Sequence, residues 1–138
     1  PALENGEIDL GVKVAGTGNE LCILTYGNGN YLSRQAQAKL AEQGIDARVV
    51  DLRWLAPLDE TGILAQVNNC KHVLIVDECR QTGSISEALV TLINEQTVTC
   101  PNIKRVTASD SFIPLGAAAY QVLPSVEQII TAAKELCQ

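Results

Sequence analysis

Apolar residues in this chain fall into short consecutive runs that alternate with stretches of helical period. Leu21-Cys22-Ile23-Leu24-Thr25 is apolar almost throughout and ends in Tyr26-Gly27-Asn28-Gly29, which predicts a strand covered on both faces and then a tight turn. Tyr31 to Gln43 has Leu32, Ala36 and Leu40 at a spacing of four, with Gly44 where a C-terminal cap belongs, and predicts a helix. Ala47 to Leu52 predicts a second strand, and Asp59 is placed to cap a short helix with Ile63 and Val67 on its apolar face. His72 to Val76 is a third strand running into Asp77-Glu78-Cys79-Arg80 and a Gln81-Thr82-Gly83 turn. Ser84 and Glu87 have capping-box spacing ahead of a stripe through Ile85, Ala88, Leu89, Leu92 and Ile93. Ile103 to Ala108 predicts a further strand, and Phe112-Ile113-Pro114-Leu115 opens a loop of small residues. A second capping box, Ser125 and Gln128, starts a last helix with Val126, Ile129, Ile130, Ala133 and Leu136 inward.

Continuous apolar strands alternating with amphipathic helices predict a three-layer α/β/α sandwich with a mostly parallel sheet. Residues 1–18 are Gly-rich, with a short alternation at Val12-Lys13-Val14, and are expected to be a lead-in that forms an edge strand or arm continuing from an upstream domain. The folded domain is expected over 19–138.

Composition narrows the function. The chain has 138 residues, 46% of them apolar and 19% charged. One domain of that size buries roughly 68–70% of the surface its unfolded chain exposes, enough for a core without disulfides or metals. A net charge of −6 with scattered Lys and Arg argues against nucleic-acid binding. No apolar stretch reaches the roughly 18–20 residues of a membrane-spanning helix. Five cysteines, an odd number with no Cys-x-x-Cys, point to reduced, buried thiols in a cytosol or organelle matrix. Cys79, at a strand end, is the one to watch for reactivity.

In an open parallel sheet, ligands bind beyond the carboxyl ends of the strands. Four groups fall there: Tyr26-Gly27-Asn28-Gly29, Asp51 to Trp54, Asp77 to Arg80, and Thr107 to Asp110. The first is a structural turn, matching neither G-x-G-x-x-G nor the Walker pattern. Asp51, Asp77, Glu78 and Asp110 could gather as a metal or phospho-acceptor site, but partner contacts or ion pairs with Arg53 or Arg80 are the favoured reading. Lys104, at a strand start, is misplaced for a receiver-type site. His72 is the only histidine and also sits at a strand start, so the chain alone completes neither a triad nor a His-based metal site. Trp54, Leu55, Pro57 and Leu58 form an apolar cluster suited to core packing or an interdomain contact.

Val50-Asp51-Leu52-Arg53-Trp54-Leu55-Ala56-Pro57-Leu58-Asp59 resembles the C-terminal domain of the transketolase superfamily, in which a strand ends in Asp-Leu-Arg and leads to Pro-Leu-Asp. Leu24 to Gly27, Val76 to Gly83, Arg105 to Asp110 with Ile113-Pro114, and Leu123-Pro124-Ser125 agree in the same order. Within the superfamily the chain most resembles the beta subunit, or the fused form, of thiamine-diphosphate-dependent 2-oxoacid dehydrogenases of the pyruvate and 2-oxoisovalerate type. The resemblance implies a parent enzyme that decarboxylates a 2-oxoacid and passes the acyl group to a lipoyl acyltransferase. It also implies that thiamine diphosphate and magnesium are bound by other domains and not by this one.

This domain is then expected to serve subunit assembly, dimer formation and, in some members, docking of the acyltransferase's basic subunit-binding domain. The acidic net charge suits such docking, although Thr97 to Pro101 lacks the acid some relatives carry there. Trp54, Glu78 and Arg80 are the interface candidates, and no catalytic, cofactor or metal residue is expected. A transketolase or deoxyxylulose-phosphate synthase piece and a free-standing flavodoxin-like ligand-binding domain are the alternatives.

Overall fold

The computed structural model describes residues 8–138, so the first seven residues of the expected lead-in lie outside the described residues. Five strands form one sheet: β1 (Lys13–Ala15), β2 (Leu21–Thr25), β3 (Ala47–Asp51), β4 (His72–Arg80) and β5 (Asn102–Ala108), in spatial order β1-β3-β2-β4-β5. β2, β3, β4 and β5 are parallel, and β1 alone runs antiparallel, pairing Lys13 with Asp51. The helices are α1 (Gly27–Ala41), α2 (Glu60–Val67), α3 (Ile85–Gln96) and α4 (Val126–Leu136), and a single 3-10 segment spans Gly116–Gln121.

Side chains alternate across a strand, so each apolar run feeds both faces of the sheet. Leu21, Ile23, Val49, Leu74 and Val76 pack with Ala36 and Leu40 of α1 and with Val126, Ile129 and Ala133 of α4. Cys22, Leu24, Val50, Val73 and Ile75 pack with Ile63 and Val67 of α2 and with Leu89 and Ile93 of α3. The three-layer α/β/α architecture follows.

The helix starts obey local chemistry in different ways. Asp59 Oδ1 accepts from Gly62 N at 2.9 Å, and its Oδ2 accepts from Val12 N at 3.1 Å, so one carboxylate caps α2 and fastens the strand entering β1. At α4 both arms of the Ser125–Gln128 capping box are formed. At α3 the expected Ser84–Glu87 box is not. Ser84 makes no cap bond and its hydroxyl pairs with Ser86 Oγ, while Glu87 Oε2 accepts from Gly83 N. The amide of Ser86 is taken instead by a buried carboxylate from the neighbouring strand, Asp77 Oδ2, at 3.0 Å.

Several boundaries differ from those read in the sequence, among them three at the carboxyl edge of the sheet. α1 begins at Gly27, directly behind β2, because Gly27 takes φ 54 and lets the chain turn into the helix without a separate loop. β4 continues to Arg80, through polar residues that lack a strand pattern. β3 ends at Asp51, although Leu52 N still bonds Thr25 O at 2.8 Å.

Candidate functional site

At the end of β3, Arg53 takes φ 60 and Trp54 N bonds back to Leu52 O at 2.6 Å. That is a tight three-residue turn in a backbone region unfavourable to a branched L-residue. It is held from several sides. Asp51 Oδ1 accepts from Arg53 N, and the Arg53 guanidinium bonds Asp9 at 2.6 Å and Gly11 O at 3.1 Å. Leu52 points into the core at 1% exposure, while Trp54 and Leu55 beyond the turn are 39% and 37% exposed. Leu58 packs against the core. The cluster therefore divides: Leu58 belongs to the interior, and Trp54 and Leu55 stand at the surface.

At the end of β4 the fully buried Asp77 gathers donors from three elements. Its Oδ1 accepts from Tyr26 Oη at 2.6 Å and from Cys79 N at 2.8 Å, and its Oδ2 accepts from Ser86 N. Burial pushes this carboxyl upward more than any other single influence, yet the Tyr26 and Ser84 hydroxyls and the two amides together hold it below the usual carboxylate range. Tyr26 is pushed the opposite way, first by its own burial and then by Asp77 and Cys79, and stays protonated as a donor. Ser86 Oγ also contacts Arg105 Nη1 at 3.2 Å. Across a turn, Asp110 accepts from Thr82 N and Thr82 Oγ1 at 2.9 and 2.6 Å, which holds it below its usual range.

Above this polar layer runs an open, mostly apolar groove of about 540 Å³. Tyr26, Leu55, Cys79, Ile85, Phe112 and Ile113 line it, with Arg80 at its side. Phe112 and Leu115 are almost wholly exposed, at 100% and 96%, and Tyr120 is 82% exposed, so this edge carries a crest of unburied apolar side chains. Isolated apolar residues on a surface need no explanation, but a gathered set rimming a groove marks a contact surface.

Trp54 stands exposed, Arg80 lines the groove with Nε bonded to Thr82 O, and Glu78 lies half-buried over Gly27, where a Cβ would collide with its carboxylate. The four acidic residues do not gather. Asp51 is held by Asn30 and Arg53 N, Asp77 by its three donors, and Asp110 by Thr82. Among the described residues no three His, Cys, Asp or Glu side chains are grouped to hold a metal ion. With the oxygens of Asp51, Asp77 and Asp110 committed to internal donors and Glu78 set apart over Gly27, these residues do not fit magnesium or a diphosphate. The expected ion pair of Arg53 goes to Asp9 rather than to the strand-end acids.

The expectation of buried thiols fails at Cys79 and Cys100, both exposed, because β4 projects past the core and Cys100 lies in the loop before β5. His72 opens β4 at the opposite, amino edge. The residues the sequence did not single out are Ser86 and Phe112. Nothing local marks Ser86, whereas Phe112, the only phenylalanine, was visible as an apolar residue in a loop.

At the amino edge the buried charge is Arg48, 8% exposed. Its guanidinium bonds Gly18 O at 2.6 Å, Asn19 Oδ1 at 2.5 Å, Gln66 Oε1 at 2.8 Å and Thr17 O at 3.3 Å.

Fold and surface together define a mostly parallel α/β/α domain with uncovered apolar side chains at the carboxyl edge of its sheet. The profile of the transketolase C-terminal domain matches residues 11–134, and the chain belongs to that family. It is 31% identical over 138 aligned residues to the pyruvate dehydrogenase E1 component subunit beta of Bacillus subtilis, covering 98% of this chain and 42% of that protein. It is 33% identical over 103 residues to the 1-deoxy-D-xylulose-5-phosphate synthase of Halothermothrix orenii, covering 75% of this chain and 16% of that protein. The chain thus spans less than half the length of these relatives. Among solved structures, a split-gene transketolase, described as an inactive beta4 tetramer, superposes with a TM-score of 0.80 at 21% identity over 91% of this chain and 41% of its own. That likeness bears out the mostly parallel three-layer fold.

Proposed function

We infer that this chain is the C-terminal assembly domain of the beta part of a thiamine-diphosphate-dependent 2-oxoacid dehydrogenase. The observation that carries this reading is the crest at the carboxyl edge, where Leu55, Phe112 and Ile113 line a groove and Trp54 and Leu115 are also exposed. The pyruvate dehydrogenase beta subunit, matched along 98% of this chain, supports the class of parent enzyme. On this reading, thiamine diphosphate and magnesium are held by other domains. The parent decarboxylates a 2-oxoacid and transfers the acyl group to a lipoyl acyltransferase. The crest, with Trp54 and Arg80 beside it, is the face that meets the neighbouring domain or subunit.

Two measurements test it. The chain alone should show no turnover of pyruvate or 2-oxoisovalerate with added thiamine diphosphate and magnesium, and measurable turnover would overturn the reading. In sedimentation velocity the chain should self-associate, and Trp54→Ala should weaken that association by about tenfold or more while shifting the melting temperature by only a few degrees. Equal loss of folding and association would return Trp54 to a core role.

A further inference from the structure

The groove at the carboxyl edge carries one charge whose partner the fold does not supply. β4 and β5 lose their even register there: Asp77 pairs with Thr107 and Arg80 with Ala108, so β4 bulges through Glu78 and Cys79. A bulge re-aims side chains, and this one sets the sequence neighbours Cys79 and Arg80 along the same groove, with Ile85, Phe112 and Ile113. Arg80 and Phe112 also line an adjoining cavity of about 440 Å³, which reaches Thr82 and Asp110. The guanidinium is thus shared between an apolar trough and a polar one. Its Nε donates to Thr82 O at 2.9 Å, which orients the fork. Among the described residues its Nη groups have no hydrogen-bond partner, and Arg80 enters no salt bridge. The other charges of this edge are already matched. Arg53 pairs with Asp9, and Arg105 lies 3.8 Å from Glu87. Asp110, beside Arg80, gives its oxygens to Thr82.

Resting on the assembly reading, we propose that this groove receives a segment of the neighbouring domain or subunit in which a bulky apolar side chain is followed directly by a carboxylate. The apolar side chain fills the trough lined by Ile85, Phe112 and Ile113, and the carboxylate takes the Nη groups of Arg80. Charge complementarity argues for this occupant. A planar guanidinium offers parallel N–H groups that match the two oxygens of a carboxylate. Aromatic and arginine side chains around a desolvated pocket are the usual anchors of protein interfaces. A wholly apolar occupant would cover Arg80 and leave its charge dry and unpaired, which opposes binding. A basic segment would meet a like charge. The net charge of −6 does not draw an acidic segment from a distance, so the selectivity is local, at a single cation.

The full chain, isotopically labelled for nuclear magnetic resonance, is titrated with two capped dipeptides, acetyl-Leu-Glu-amide and acetyl-Leu-Gln-amide. The first should move the backbone amides of Cys79, Ile85 and Phe112 and the Arg80 Nε–H, with a Kd on the order of 1 mM. The second should bind about fivefold more weakly, the gain expected of one solvent-edged ion pair. In Arg80→Gln, checked for native circular dichroism, the two peptides should bind alike, and Arg80→Lys should restore only part of the preference. Equal binding of both peptides to the parent chain, or a preference that survives Arg80→Gln, would overturn the proposal. So would inorganic phosphate that shifts the Arg80 signal at lower concentration than either peptide. Groove signals that move with protein concentration alone and ignore both peptides would mark a second copy as the occupant and overturn it as well. Sedimentation velocity reports on the assembly reading separately: a chain that associates yet does not distinguish the peptides keeps that reading and sinks this inference alone.

Discussion

The two ends of the sheet each bury one charge, and they solve the same problem with opposite signs. At the amino edge Arg48 donates to two backbone carbonyls and two side-chain amide oxygens. At the carboxyl edge Asp77 accepts from a hydroxyl and two backbone amides. Neither forms a salt bridge among the described residues. The signs follow from the parallel sheet. Every crossover brings the free N–H groups of a helix start to the carboxyl edge, and the carbonyls of loops and helix ends to the amino edge. A carboxylate suits the first and a guanidinium the second. The edges differ in what lies above. The amino edge carries a cavity lined largely by loop residues such as Asn68, Lys71 and Thr99, whereas the carboxyl edge is topped by Trp54, Leu55 and Phe112. The charge fixes each edge, and the carboxyl edge adds exposed large apolar side chains above it.

The largest break in this symmetry should come from Asp77→Ala. It strands the Ser86 and Cys79 amides and the Tyr26 hydroxyl inside the fold, at a cost of about 3 kcal/mol read as a fall in the urea midpoint. Because the folded carboxyl sits below its ordinary 3.8, the folded state binds this proton more weakly than the unfolded chain does. Its contribution is complete above the ordinary value and fades as the pH falls through the folded one. Acid titration of stability should therefore be steeper for the parent chain than for Asp77→Asn below about pH 4.

Arg48→Met should cost less, about 2 kcal/mol, since the flexible acceptors around it can turn to water. A larger loss than that of Asp77→Ala would mean the amino edge, not the carboxyl edge, holds the sheet together. The smallest effect separates two serines that look alike in sequence. Ser125→Ala should cost about 1 kcal/mol and Ser84→Ala only a few tenths, because the first closes a capping box and the second does not. Thermal unfolding of the two variants checks the order.

That pair shows why part of the molecule was legible in the sequence and part was not. Strands, helix stripes and the Ser125 cap depend on neighbours within about one helical turn, and their pattern is written locally. The Ser84 cap was displaced by Asp77, whose carboxylate arrives from another strand and competes for the same amide. The start of α1 was hidden because Gly27 and Asn28 are turn residues by composition, although here they open a helix. The expectation that Arg53 would pair with a strand-end acid also failed for a long-range reason: Asp9, far back in the chain, reaches it first. The exposure of Trp54 could not be read from its apolar neighbours. It depends on the left-handed turn at Arg53, which points Leu52 and Trp54 in different directions.

The sheet has unequal flanks. β1 lies antiparallel along β3 and covers one of them, while β5 is the last strand on the other. An outer strand with free ladder groups is a template for fibril growth unless something discourages a second strand from adding. Here Pro101 stands at the entry to β5, and Lys104 and Arg105 charge its middle, with Lys104 tethered to Glu135 of α4. These residues act as gatekeepers. The charged flank that discourages a second strand from adding is thus separate, in space and in chemistry, from the exposed apolar crest.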